Sequence, residues 1–241
     1  MADSFFEGAR ASLVDITPGD NLLMQTLRAS VRGYRMLPTA ESQVYPRWGI
    51  GAETGASFRP GLTKIYTPIW YGYLYGYLPG FTRTQGLRLS ATAQYQLPTG
   101  APFGENSVTI LPRGFTSAEA RSVARKSHAQ VRLTADYALP VYVGDLSWFS
   151  PVAYIRNFLL IPHADGTVFP VKRNDRISLH NLLSAGADFT VELGNLTWVP
   201  YPFSIGVSAS WLGGSYFKTL AEADKDGRKP YYVGLLFSVD L

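Results

Sequence analysis

Between Arg47 and Arg59 the residue type changes at almost every step. Trp48, Ile50, Ala52, Thr54, Ala56 and Phe58 share one parity; Arg47, Gly49, Gly51, Glu53, Gly55, Ser57 and Arg59 share the other. A period of two is that of an extended strand with one apolar and one polar face. The pattern returns at 85–97, at 129–139, at 183–193 and at 203–211, and the chain closes on Tyr231, Val233, Leu235, Phe237, Val239 and Leu241. Less regular segments at 23–36, 69–78, 146–161 and 5–16 bring the expected count to nine or ten strands. A strand of ~12 residues at ~3.4 Å per residue, tilted ~45°, projects to ~29 Å, the thickness of a bilayer's hydrocarbon core. Globular strands average only ~5–6 residues.

The connections carry a second regularity. Read back from the C-terminus, 213–229 is long, 195–200 short, 162–180 long, 140–145 short, 98–126 long and 79–83 short. Long loops on one side and tight turns on the other are the asymmetry of outer-membrane barrels. The polar face carries Arg28, Arg32, Arg88, Arg132, Asp136, Asp188 and Glu192. In a soluble sandwich that face would meet solvent; in a membrane barrel it would line the lumen, and the apolar face would meet lipid. Alternation alone does not separate the two. Strand length, loop asymmetry and aromatic residues near strand ends favour the barrel, with girdles at the membrane interfaces. In the strand at 69–78, Trp70, Tyr71, Tyr73, Tyr75 and Tyr77 cluster.

Composition narrows the choice. The 241 residues include 15 Tyr, 13 Phe, 5 Trp and 23 Gly but only 17% charged residues, a β-rich inventory. Mean hydropathy of -0.01 looks soluble, yet it is what two opposed faces average to. No apolar run reaches the ~18–20 residues of a membrane helix. Without Cys there is no disulfide framework or thiolate chemistry, and a net charge of +4 is too balanced for a nucleic-acid footprint. The first residues lack the basic and apolar regions of a secretory signal, so an exported chain would be a mature product or a fragment.

The last strand, Tyr232 to Leu241, has Gly234 followed by Phe237, Val239 and Leu241. It resembles the terminal-strand signal by which bacterial outer-membrane proteins are recognised for insertion, a form of strand addition. In the loop at 98–126 stands Leu111-Pro112-Arg113-Gly114-Phe115, with five expected strands after it: 127–139, 146–161, 181–194, 201–212 and 230–241. In that position Arg113, Gly114 and Phe115 resemble the Arg-Gly-aromatic loop motif of the BamA-like surface-antigen superfamily, over roughly residues 84–241, with a Bacteroidetes-like character. The resemblance implies an outer-membrane barrel whose loop folds into the lumen, where Arg113 would meet Asp136, with Asp188 and Glu192 as nearby alternatives. A partly desolvated pair of that kind would be stronger than one at a surface. The family's barrel has sixteen strands and usually periplasmic domains, so this chain would be either the C-terminal part of such a barrel or a smaller barrel with a similar end.

Other chemistry is sparse. His128, His163 and His180 are too scattered for a metal site. His163 and Asp165 fall in an expected extracellular loop, where a rim hydrolase would need a serine that nothing fixes, so neither catalysis nor a cofactor is expected. Glu222 to Lys229 reads as a solvated loop. The expectation is thus an all-β, transmembrane, antiparallel up-and-down barrel in a single domain, acting as a structural or assembly/translocation component of the bacterial outer membrane. Its partners would be membrane lipid, the barrel-assembly machinery during insertion, and other periplasmic or outer-membrane proteins; nucleic acid is not among them. A small self-contained barrel acting as channel, adhesin or lipid-active enzyme is the alternative, and a soluble ligand-binding β-barrel the third class.

Overall fold

The alternating segments form strands, and in the computed structural model they pair in sequence order. The structure describes residues 3–12, 27–40, 43–58, 68–97, 111–124, 126–149, 153–173, 176–194, 203–223 and 228–239. The strands are β1 (Asp3–Ser12), β2 (Leu27–Met36), β3 (Gly49–Phe58), β4 (Ile69–Pro79), β5 (Gly86–Gln96), β6 (Ala129–Phe149), β7 (Ala153–Arg173), β8 (Arg176–Gly194), β9 (Phe203–Gly213) and β10 (Tyr231–Val239). They make one sheet in the order β1 to β10, and every neighbouring pair is antiparallel. No helix among the described residues is long and apolar enough to cross a membrane. The protein is therefore all-β with up-and-down connectivity. Among the described residues no pairing joins β10 to β1, so the expected barrel stands here as an open row.

The pairings extend side-chain parity across strands. One register row runs Gly49, Tyr77, Arg88, Asp136, His163, Gly186, Ser210 and Tyr232; the adjacent row of the other face runs Ile50, Gly76, Leu89, Ala135, Ala164, Ala185, Trp211 and Tyr231. Burial is inverted between these faces. On the apolar one Leu235 is 86% exposed and Leu133 60%; on the polar one Asp165 is 3% and His163 4% exposed.

Three boundaries differ from the sequence expectation. The turn expected at 140–145 lies inside β6, which runs 21 residues and takes up irregularity as register shifts at Pro140/Tyr142 and Val143/Leu146. The expected strand at 146–161 is thereby divided between β6 and β7, and its Pro151 is outside the described residues. The long loop expected at 162–180 is strand: β7 continues to Arg173 and β8 begins at Arg176. His163, Asp165 and Thr167 keep the polar parity there, and Phe169 and Val171 follow on the same face. That face turns apolar because something covers it. α1 (Ser117–Ala124) and α2 (Phe217–Ala223), from the loops before β6 and β10, pack onto it in a cluster of Leu111, Ala120, Val123, Phe169, Leu182, Tyr216 and Leu220.

Candidate functional site

The loop before α1 carries an arginine to the polar face. Thr116 and Glu119 form a reciprocal cap: the Glu119 carboxylate accepts from the Thr116 amide at 2.6 Å, and the Glu119 amide donates to Thr116 Oγ1 at 3.3 Å. This start fixes α1 just after Arg113-Gly114-Phe115, and each residue of the tripeptide has its own contact. Gly114 has φ +83°, and a Cβ there would come within 2.9 Å of Leu212 and 3.0 Å of Tyr232. Its carbonyl accepts from Arg228, which also pairs with Glu119 at 3.0 Å. Phe115 meets Phe217 of α2 edge-on, with ring centroids 6.3 Å apart.

Arg113 reaches three carboxylates on three adjacent strands. It is paired with Asp136 of β6, with Asp165 of β7 at 3.3 Å through Nε, and with Asp188 of β8 at 3.1 Å through Nη1. Its backbone amide also donates to Asp165. A planar guanidinium with five donors suits this fan of acceptors, where an ammonium would serve one at a time. Burial by itself would lower the Arg113 pKa, but Asp165 and Asp136, with Asp188, raise it above its ordinary value. Arg132 takes the second oxygen of Asp165 at 3.1 Å, and Ser208 donates to Asp188.

Of the acidic residues expected near Arg113, the structure brings Asp136 and Asp188 and leaves Glu192 apart. Glu192 pairs with Arg156 at 3.5 Å and accepts from Asn157 at 2.6 Å, two residues further along β8 from Thr190 and four from Asp188. Asp165 was missed because residues 162–180 read as a loop. The signal that would have found it is the unbroken parity of His163, Asp165 and Thr167.

His163 is also on this wall rather than in a loop. Its Nε2 lies 3.0 Å from Ser210 Oγ, across the side-chain gap at Gly186. Its Nδ1 faces Asp188 at 3.6 Å. The residue types are those of a hydrolase triad, but Asp188 is held by Arg113 and Ser208, and Ser210 is 5% exposed. These contacts link β7, β8 and β9 on the polar wall. Among the described residues no His, Asp or Glu group suited to a metal is present.

From the opposite end, Tyr45 in the β2–β3 connection packs on Tyr77, with centroids 5.6 Å apart. Burial, then the negative charge of Asp136, pushes its pKa up to about 12. Tyr71, Tyr73, Tyr75 and Tyr77 face the polar side, not an interface girdle. Tyr75 lies over Gly51 and accepts from Arg32 at 3.2 Å, Tyr73 accepts from Arg88 at 2.8 Å, and Tyr71 donates to Glu53 at 2.8 Å. Of the terminal-strand residues, Gly234 and Phe237 pair with Ser208 and Ile205, Val239 ends the ladder at Phe203, and Leu241 lies outside the described residues.

What these features define is a class: an all-β protein with one up-and-down sheet, a polar buried face and an arginine held across three strands. No family model matches the sequence, and neither the curated proteins nor the solved structures contain a match to it.

Proposed function

We propose that the chain is an integral β-barrel protein of the bacterial outer membrane, a structural or assembly/translocation component resembling the BamA-like surface-antigen superfamily. The observation that carries this reading is the inverted burial of the sheet, with aliphatic side chains outward and carboxylates, amides and hydroxyls inward. Soluble monomers rarely expose apolar patches beyond a few hundred Å². In lipid the same face is solvated, and the polar face is what a lumen needs. Strands of 10–11 residues in β2 to β5, at ~3.4 Å per residue and tilted ~45°, project to roughly the ~25 Å apolar band of such barrels.

Unpaired backbone in hydrocarbon costs several kcal/mol per group, so the edges of the row are paired in the membrane, β1 against β10. An even strand number makes that pairing antiparallel. The cluster under α1 and α2 and the Arg113 lock cover the polar face, which favours a structural or assembly role over an open channel. Gel mobility with and without heating, in detergent, tests the reading. A folded form that migrates apart from the heated one and needs detergent to stay dispersed is expected; a monomer soluble in plain buffer would overturn it.

A further inference from the structure

The apolar face is not uniformly bulky. Toward β9 and β10 it presents Ile205, Val207, Val233, Leu235 and Phe237, all exposed. Between β2 and β8 small residues interrupt the larger ones, and two depressions of about 590 and 570 Å³ adjoin, sharing Ile50, Gly76 and Leu89. The first is lined by Ala135, Ala164 and Gly166, between Leu133 and Leu183. The second depression ends at Arg35 and Trp48, the latter 53% exposed. Arg35 is an exposed cation on the apolar face, and among the described residues no ion pair engages it.

We propose that this groove holds one anionic phospholipid, its phosphate on Arg35 beside Trp48 and an acyl chain lying over the small residues; the proposal rests on the membrane reading above. Arg35, Ile50, Gly76, Leu89, Ala135 and Ala164 are successive partners in one register row. Five interstrand steps at ~4.8 Å make ~24 Å, and with the strands tilted ~45° the row descends ~17 Å. That is about one leaflet of a ~30 Å hydrocarbon core. The row therefore leads from the headgroup level, where arginine and tryptophan are favourable, to the bilayer midplane, where a glycine–alanine floor admits a chain that leucine would exclude. Charge complementarity selects the head, and the small floor selects the tail.

Native mass spectrometry of the detergent-solubilised protein, offered equal phosphatidylglycerol and phosphatidylethanolamine, tests this. One retained phosphatidylglycerol per chain is expected. Arg35→Gln should lower its retention about fivefold, the worth of one surface cation against an anionic lipid. Ala135→Leu with Ala164→Leu should lower retention of both lipids, while Val233→Leu on the far wall changes neither. Heat-modifiable mobility confirms that each variant folds. Equal retention by all variants, or a copurifying polypeptide in place of lipid, overturns the proposal while leaving the membrane reading intact. A chain that does not enter detergent or membranes at all overturns both.

Discussion

At the level of single residues, Arg113 joins three strands of the polar wall. Removing it would leave Asp136, Asp165 and Asp188 facing one another on the polar wall with Arg132 as the remaining close cation on Asp165. Arg113→Ala should therefore destabilise by about 3 kcal/mol, since breaking one side of a buried pair strands the other. Urea titration in detergent measures it. Arg113→Asp combined with Asp136→Arg should recover part of that loss, whereas independent, additive effects would mean that the two side chains are not coupled. Gly114→Ala should cost ~1–3 kcal/mol from its left-handed backbone, before any clash with Leu212 and Tyr232. Tyr45 adds a pH signature. Its pKa is raised from 10.0 to about 12 in the folded state. The unfolded chain then loses the proton first, so stability is full below pH ~10 and falls by roughly 2 kcal/mol as pH rises to ~12. Tyr45→Phe should remove that part of the alkaline loss. The pairing of Arg113 with Asp136 was expected only from the resemblance of the loop motif; Asp165 was hidden because residues 162–180 read as a long loop.

Among the elements, β7 and β8 show where a period of two stops being readable. Its rule assumes one face covered and one face wet, and it worked for β3, β5 and β9, where Gly, Ser and charged residues alternate with aliphatics. From Val168 to Val171 both faces are apolar, because α1 and α2 lie over the polar side of the sheet. No local pattern records that cover, so the segment read as a loop and its partner residues 176–180 with it. The same cause hid the two short helices, which depend on the cluster around Phe169 and Leu182. Phe169 is fully buried, and Phe169→Ala should cost ~3–5 kcal/mol. Hydrogen exchange should show α1 and α2 losing protection first, with the β2–β5 ladder unchanged; uniform loss across the sheet would mean that the cluster is not a separate unit.

For the whole molecule, all-β class and strand order were legible, since both follow from regular alternation and short hairpins. The closed barrel was expected as well, but among the described residues the strands form an open row; edge pairing joins residues far apart in sequence, and no local rule fixes it. The central claim is that the apolar parity faces lipid and the polar parity does not. With no native cysteine, single cysteines can be placed one at a time at Leu133, Val207 and Leu235 on one face and at Ser90 and Thr92 on the other, then labelled with a fluorophore in vesicles containing brominated lipid. If that claim holds, quenching is strong at the first three positions and weak at the other two. Equal quenching at both sets, or quenching confined to Ser90 and Thr92, would contradict it.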